Sequence, residues 1–189
     1  RLAAPTVNII GGGGTICAGT PVALSTSVTG DPTIIYSWAT LTGLSSSTIS
    51  NPVATPLVTT AYTVTIRDGN GTTATANTTI TVNPTPDVLA TPSSQVICST
   101  QNTGIALSNP NATPGTLYTW TVVQSGVTGA SNQVAPVAGP IVQALTASGA
   151  VPGTATYSIT PVAGSCGGTP LNVIVTVNPT PTVLDPADQ

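Results

Sequence analysis

The chain contains the same arrangement of residues twice, and this repetition limits its fold more than any other feature. Each copy opens on a Pro-x-Val triplet, at Pro5-Thr6-Val7 and at Pro86-Asp87-Val88. Each copy closes on Thr-Val-Asn-Pro-Thr-Pro, at residues 81–86 and 176–181. Repetition of this kind indicates an array of like structural units. We therefore predict domains at residues 1–85 and 86–181, with the start of a third at 182–189.

The landmarks inside the two copies follow the same order. Each copy has a cysteine, then a Tyr-x-Trp triplet, then a strand-like run around a second tyrosine: Cys17, Trp38 and Tyr62 in the first, Cys98, Trp120 and Tyr157 in the second. Nearly all of the extra length of the second copy lies after its tryptophan, around residues 130–143. Length variation confined to one connection is typical of a fixed framework with one variable loop.

Apolar residues alternate with threonine and serine along both copies. Tyr62, Val64 and Ile66, for example, share one face of a predicted strand. The chain is rich in Thr, Val and Ile and lacks Glu, Lys and Met, which favours strands over helices. About seven short strands per copy, separated by turn signals, are typical of an immunoglobulin-like β-sandwich. We predict an all-β chain of two such sandwiches in tandem.

The connection between the copies is short. Asn83-Pro84-Thr85-Pro86 has prolines at alternate positions, and this arrangement favours an extended backbone. We therefore expect the last strand of one sandwich to lead almost directly into the next, so that the two are arranged end to end.

The charge content excludes several classes of function. Charged residues are 4% of the chain, and there are only two bases, so we expect no nucleic-acid binding because nothing would neutralise phosphates. No apolar run is long enough to insert this segment into a membrane. General acid–base catalysis uses His, Glu, Asp, Lys, Tyr or Cys, and His, Glu and Lys are missing. We expect no enzyme activity, no catalytic residue and no cofactor.

Three cysteines raise the question of pairing. Cys98 and Cys166 both fall in the second copy, at strand ends, whereas the first copy has only Cys17. We predict a Cys98–Cys166 disulfide, which indicates an oxidising extracellular setting. A closed loop of about 69 residues would stabilise the domain by about 4 kcal/mol in the chain-entropy treatment. Cys17 is then predicted as a free thiol, either a buried relic or an intermolecular bridge.

Other candidate sites have ordinary structural interpretations. Trp38 and Trp120 fit the sandwich core better than exposed sugar-stacking positions. Asp68-Gly69-Asn70-Gly71 resembles the start of a calcium loop, but it carries one carboxylate, and a hard cation takes six or more oxygens. We interpret it as a type I′ turn and leave open a weak cation site shared with Asp31. We therefore assign no metal site.

Several stretches, most of them in the second copy, carry a family resemblance. The joint Val82-Asn83-Pro84-Thr85-Pro86, the triplet Ile97-Cys98-Ser99, and the segments 118–130 and 153–161 resemble the PKD-like/Ig-like repeats of large cell-surface adhesins of Bacteroidota. The first copy is a looser relative. The resemblance implies tandem PKD-like sandwiches, export by the type IX system, in some cases a link to gliding, and no catalytic residue.

The predicted function is structural. We expect an extracellular stalk, spacer or filament at a cell surface, whose partners are neighbouring repeats of the same protein and lateral copies. The alternative is an adhesive module that binds a glycan or a surface through the loop around residues 130–143. A third interpretation makes the outward Thr63/Thr65, Thr73/Thr75 and Thr79/Thr81 rows an ice-binding or lateral-assembly face.

Overall fold

The computed structural model describes residues 4–30 and 33–181. Every regular element in these two ranges is a β-strand, which confirms the all-β prediction. Within the same ranges, no segment forms a helix of the length and apolarity that a membrane crossing requires. The predicted third domain at 182–189 and Asp31 lie outside the described residues.

The chain divides between Pro84 and Thr85 into two compact units, called unit 1 and unit 2 below. The strands of unit 1 are β1 (Thr6–Ile10), β2 (Gly14–Cys17), β3 (Val22–Ala23), β4 (Ser25–Thr29), β5 (Ile35–Ala39), β6 (Val53–Ala54), β7 (Thr60–Arg67) and β8 (Thr73–Asn83).

Unit 1 has one main sheet and two small ones. The main sheet has the order β2-β8-β7-β5, and two-stranded sheets pair β1 with β4 and β3 with β6. β2 runs parallel to β8, whereas β7 runs antiparallel to both of its neighbours. The alternation in sequence sets which face is inward, because successive strand residues point to opposite faces. Tyr62, Val64 and Ile66 are fully buried, as predicted.

The core of unit 1 is small but complete. Trp38 lies among aliphatic side chains from β1, β7 and β8 and is 3% exposed. Its indole nitrogen donates a hydrogen bond to the carbonyl oxygen of Ile49 at 2.9 Å. The tryptophan is therefore a core residue, which confirms the prediction.

Unit 2 contains ten strands: β9 (Leu89–Thr91), β10 (Ser94–Cys98), β11 (Ala106–Ser108), β12 (Thr116–Ser125), β13 (Val127–Thr128), β14 (Gln133–Val137), β15 (Thr146–Ala147), β16 (Gly153–Ala163), β17 (Cys166–Gly167) and β18 (Leu171–Asn178). Its main sheet has the order β10-β18-β16-β12-β14, with β17 also paired to β16. β11 pairs with β9 and β13 with β15. The strand count exceeds seven because several pairings are only two residues long.

The two units share their central geometry. In both, a strand ending in cysteine runs parallel to the last strand of the unit, β2 to β8 and β10 to β18. Trp120 donates to the carbonyl of Ser131 at 3.2 Å, eleven residues further along, as Trp38 does to Ile49. Repetition in sequence therefore corresponds to repetition of individual contacts.

Candidate functional site

The predicted cysteine pairing is wrong. Cys17 and Cys166 are each disulfide-bonded, and Cys98 is an exposed free thiol. The expectation of a free thiol at Cys17 therefore also fails.

Strand register explains why Cys98 and Cys166 do not bond to each other. Cys98 ends β10 and pairs with the last residue of β18, beside the point where β18 meets Gly153 at the start of β16. Cys166 pairs with Ala163, at the other end of β16. β16 has 11 residues and spans about 33 Å at about 3.3 Å per residue. A disulfide needs Cα atoms about 5.5–6 Å apart, so both cysteines lie at strand ends, but at opposite ends of the sheet.

The segment predicted as a variable loop, residues 130–143, is largely built into the sandwich. Its middle forms the edge strand β14, which pairs with β12 at Trp120↔Gln133 and Tyr118↔Val137 across an irregularity in register. Beyond β14, Ile141 is fully buried. The segment therefore extends the main sheet and contributes to the core.

Gln143 anchors this segment, and sequence reasoning did not identify it. Its side-chain Nε2 donates to the carbonyl of Ser131 at 2.9 Å, and the Ser131 amide donates to Gln143 Oε1 at 3.0 Å. The phenol of buried Tyr157 donates to the same Oε1 at 2.9 Å. The side-chain amide of Gln143 thus links the two ends of the segment to each other and to the buried Tyr157. The only sequence signal was the recurrence of the tyrosine itself.

Thr103 holds the backbone of the same segment. Its amide donates to the Gln143 carbonyl at 2.9 Å, and the Gln143 amide donates back to Thr103 Oγ1 at 3.0 Å. Thr103 Oγ1 also donates to the carbonyl of Ile141 at 2.8 Å. Within the described ranges, no buried side-chain nitrogen or oxygen lacks a hydrogen-bond partner. These polar groups are occupied by the fold itself.

Asp68 has a structural role in the hairpin between β7 and β8. Its Oδ1 accepts hydrogen bonds from the amides of Asn70 at 3.0 Å and Thr72 at 2.8 Å, and the side chain is buried. A type I′ turn needs positive φ at both central residues, but in this hairpin only Gly71, at 84°, is positive. The type I′ interpretation is therefore wrong. The aspartate instead stabilises a turn that ends in a left-handed glycine.

The described residues do not contain a group of three or more Cys, Asp, Glu or His side chains that would hold a metal ion. The proposed partner of Asp68, Asp31, lies outside those residues. The weak cation site thus gains no support from the placement of Asp68.

Tyr62, Tyr118 and Tyr157 are poor acid–base groups. Burial raises the pKa of Tyr157 to about 12. Burial also raises the pKa of Tyr62, a shift opposed by a hydrogen bond with Thr60, and raises the pKa of Tyr118. A general acid or base works best when its pKa is near the working pH. These phenols stay protonated at neutral pH and serve as core residues.

Two surface depressions occur in unit 2. One, of about 520 Å³, is lined by Gly149, Ala150, Pro179, Thr180 and Pro181. The other, of about 200 Å³, lies beside β14 and is lined by Thr119, Trp120, Thr121, Gln133, Val134, Ser158 and Thr160. None of these described lining residues carries an ionisable side chain. The second is smaller than the roughly 300–1,000 Å³ typical of small-molecule sites.

Comparison with protein families gives one match, in unit 2. Residues 95–181 match the family model described as PKD-like domain. That range covers slightly less than half of the chain. A search of curated protein sequences gives no match. No enzyme family is indicated.

Solved structures with similar folds include extracellular adhesion domains. The N-terminal eight Ig domains of Down Syndrome Cell Adhesion Molecule isoform 1.30.30 align over 95% of this chain and 25% of that one, with 14% identity and a TM-score of 0.49. Cadherin domains 1–5 of Protocadherin Gamma B2 align over 97% and 41%, with 13% identity and a TM-score of 0.41. Fibronectin(III)-like modules of Clostridium thermocellum CbhA align over 95% and 99%, with 14% identity and a TM-score of 0.38.

The chain spans about a quarter and two fifths of the first two of these structures. At such identities the likeness concerns the fold alone. The strand topology shows that the described residues form an all-β, immunoglobulin-like fold, and residues 95–181 are similar to PKD-like domains.

Proposed function

We propose that this chain is a non-catalytic structural segment of an extracellular protein, a stalk or spacer built from repeated β-sandwiches. The main support is that the tryptophan of each unit is buried and hydrogen-bonded within that unit. Trp38 and Trp120 are 3% and 6% exposed, and each donates its indole hydrogen to a backbone carbonyl of its own unit. Side chains spent in this way are not available to stack on a ligand.

The surface chemistry agrees with this role. Charged residues are only 4% of the chain, and many of the exposed strand positions are threonine or serine. Such a surface offers hydroxyl groups but few charges for steering a partner. The disulfide bonding of Cys17 and Cys166 suits an oxidising compartment outside the cytosol.

The finer setting rests on the family resemblance. PKD-like repeats of this sequence pattern point to a large bacterial surface adhesin, of the kind exported by type IX systems in Bacteroidota. In that setting the partners are neighbouring repeats and lateral copies of the protein, and the chain supplies length and stiffness.

Binding assays of the purified chain test this proposal. We expect the intact chain to give no signal above background on a glycan array or on abiotic and host surfaces, with a known lectin as the positive control. Saturable binding by the folded chain would contradict a purely structural role.

The second candidate is a carbohydrate-binding module that uses β14, and one observation favours it. The groove beside β14 presents Thr121, Gln133 and Ser158 next to Val134, whose side chain is 85% exposed. Hydroxyl and amide groups beside an exposed apolar side chain are suited to a sugar face. If this candidate is right, Val134→Ala and Gln133→Ala weaken array binding, whereas the matched control Val151→Ala, at an exposed valine that does not line the groove, leaves it unchanged.

A further inference from the structure

The two units place a cysteine at the same position of the same strand-end turn. Cys17 ends β2 opposite Asn83, and Cys98 ends β10 opposite Asn178, each in a parallel pair. The residue after each cysteine then donates its amide to that asparagine's carbonyl, at 3.1 Å and 2.8 Å. The sequence frame and the hydrogen bonds therefore agree that these two positions are equivalent.

The turn that follows is also the same in both units. The amide three residues on donates to the cysteine carbonyl, from Thr20 at 3.0 Å and from Gln101 at 3.1 Å. The residue before that donor has positive φ in each case, 76° at Gly19 and 73° at Thr100. A threonine in this region is strained, because its branched Cβ crowds the backbone. Unit 2 therefore keeps the turn even with an unfavourable residue.

The two cysteines differ in their bonding. Cys17 is disulfide-bonded, whereas Cys98 is exposed and free. The other disulfide-bonded cysteine, Cys166, is 1% exposed and lies in the hairpin between β16 and β17. Disulfide-bonded cysteines thus occur at two kinds of position, the end of a strand and a hairpin. Cys98 occupies the strand-end position of unit 2, but its thiol is free.

We propose that Cys98 is a disulfide-forming site whose partner is a cysteine thiol outside this chain, in another domain of this kind. This inference uses the oxidising setting of the proposed function, but not the spacer role itself. The other domain belongs either to the same polypeptide or to a second molecule. Both sources offer the same chemistry.

The bond forms by thiol–disulfide exchange. The Cys98 thiolate attacks one sulfur of a disulfide oxidant, either a protein or a small-molecule disulfide, and the other oxidant sulfur leaves as a thiolate. The partner cysteine's thiolate then attacks the Cys98 sulfur of this mixed disulfide. A new S–S bond joins the two cysteines, and the oxidant ends as two thiols.

Peptide mapping of the native protein from its source tests the proposal. Free thiols are alkylated before denaturation, and the protein is digested without reduction by pepsin, because acid suppresses exchange and trypsin would have only Arg1 and Arg67 to cleave after in this chain. We expect the Cys98 peptide in a disulfide with a cysteine peptide from outside this chain. Complete alkylation of Cys98, or a bond only to a small thiol such as glutathione, would overturn the proposal. The unlabelled Cys17 and Cys166 peptides are the internal control.

A Cys98→Ser variant of the full-length protein distinguishes the two sources. If the partner belongs to a second molecule, the variant loses a covalent oligomer on a non-reducing gel. If it belongs to the same polypeptide, the band stays but one formerly protected cysteine becomes alkylated. A variant that shows neither change would contradict the proposal. Ser94→Ala, exposed on the same strand, is the matched control, and circular dichroism checks that both variants fold.

Discussion

The phenol of Tyr157 donates a hydrogen bond to Gln143 Oε1 at 2.9 Å, and this contact joins the centre of unit 2 to the segment that carries its edge strand. In unit 1 the equivalent tyrosine, Tyr62, donates to the backbone carbonyl of Thr42 at 2.8 Å. Both tyrosines are fully buried. The same residue thus fixes the connection after the tryptophan strand in each unit, by a side-chain acceptor in one and a backbone acceptor in the other.

Removing either tyrosine hydroxyl group should destabilise the chain. We expect Tyr157→Phe and Tyr62→Phe each to lower the free energy of unfolding by about 1 kcal/mol, because each removes one part-buried hydrogen bond. Urea denaturation followed by tryptophan fluorescence measures the change. In a double-mutant cycle, Tyr157→Phe with Gln143→Ala should cost less than the sum of the single changes. Additive costs would show that the two side chains do not interact.

The pKa of Tyr157 predicts how stability changes in alkali. Burial raises that pKa to about 12, against about 10 for an unfolded tyrosine. Below about pH 10 both states keep the proton, so this group's contribution is fully present. Between about pH 10 and 12 the unfolded chain releases the proton while the folded chain keeps it, and stability falls. Unfolding measured across this range should show a smaller fall in Tyr157→Phe. Equal falls would contradict the assignment.

Asp68 should matter for the hairpin through its oxygen rather than its charge. Asp68→Ala leaves the amides of Asn70 and Thr72 without their acceptor and should cost about 1–3 kcal/mol. Asp68→Asn keeps an oxygen in place and should cost clearly less. Asp87 is the control, because its Oδ1 accepts one amide bond in an exposed setting. Thermal unfolding ranks the variants, and an Asp87→Ala variant as unstable as Asp68→Ala would argue against a special role for Asp68.

The strained threonine predicts a stabilising substitution. Thr100 has φ of 73°, where its unit 1 equivalent is Gly19. Thr100→Gly should raise the free energy of unfolding by about 1 kcal/mol, because glycine adopts positive φ without steric cost. The reverse change, Gly19→Thr, should destabilise by a similar amount, since a Cβ there would meet only Leu57 Cδ2 at 3.6 Å. Shifts of the same sign in both variants would refute this explanation.

Much of the fold could be predicted because strands have a period of two. The faces assigned to Tyr62, Val64 and Ile66 were correct, since alternation decides burial without knowledge of the partner strands. The two tryptophans were placed in the core for the same reason. The prediction of an all-β, immunoglobulin-like fold required only these local patterns and the turn signals between the strands.

The wrong prediction of a Cys98–Cys166 disulfide concerned the register between strands that are distant in sequence. The cysteine prediction counted residues along the chain, but the position of Cys98 is set by the parallel pairing of β10 with β18. The position of Cys166 is set by the hairpin beyond β16. No local pattern encodes which end of the sheet each strand reaches.

The candidate site was the least predictable part. Residues 130–143 were predicted as a variable loop, yet their middle forms an edge strand, because Gln133 and Val137 reach β12 across an irregular register. The role of Gln143 depends on three partners brought together only by folding. A single glutamine carries no signal of that kind.

The central claim, that this chain is a structural spacer, is tested most directly by exchanging it in place. In the full-length surface protein, its residues are replaced by an unrelated pair of β-sandwich domains of matched length, and attachment of the cells is measured alongside surface display. We predict unchanged attachment at equal display. Loss of attachment with display intact would contradict the account, because the chain would then contribute recognition as well as length.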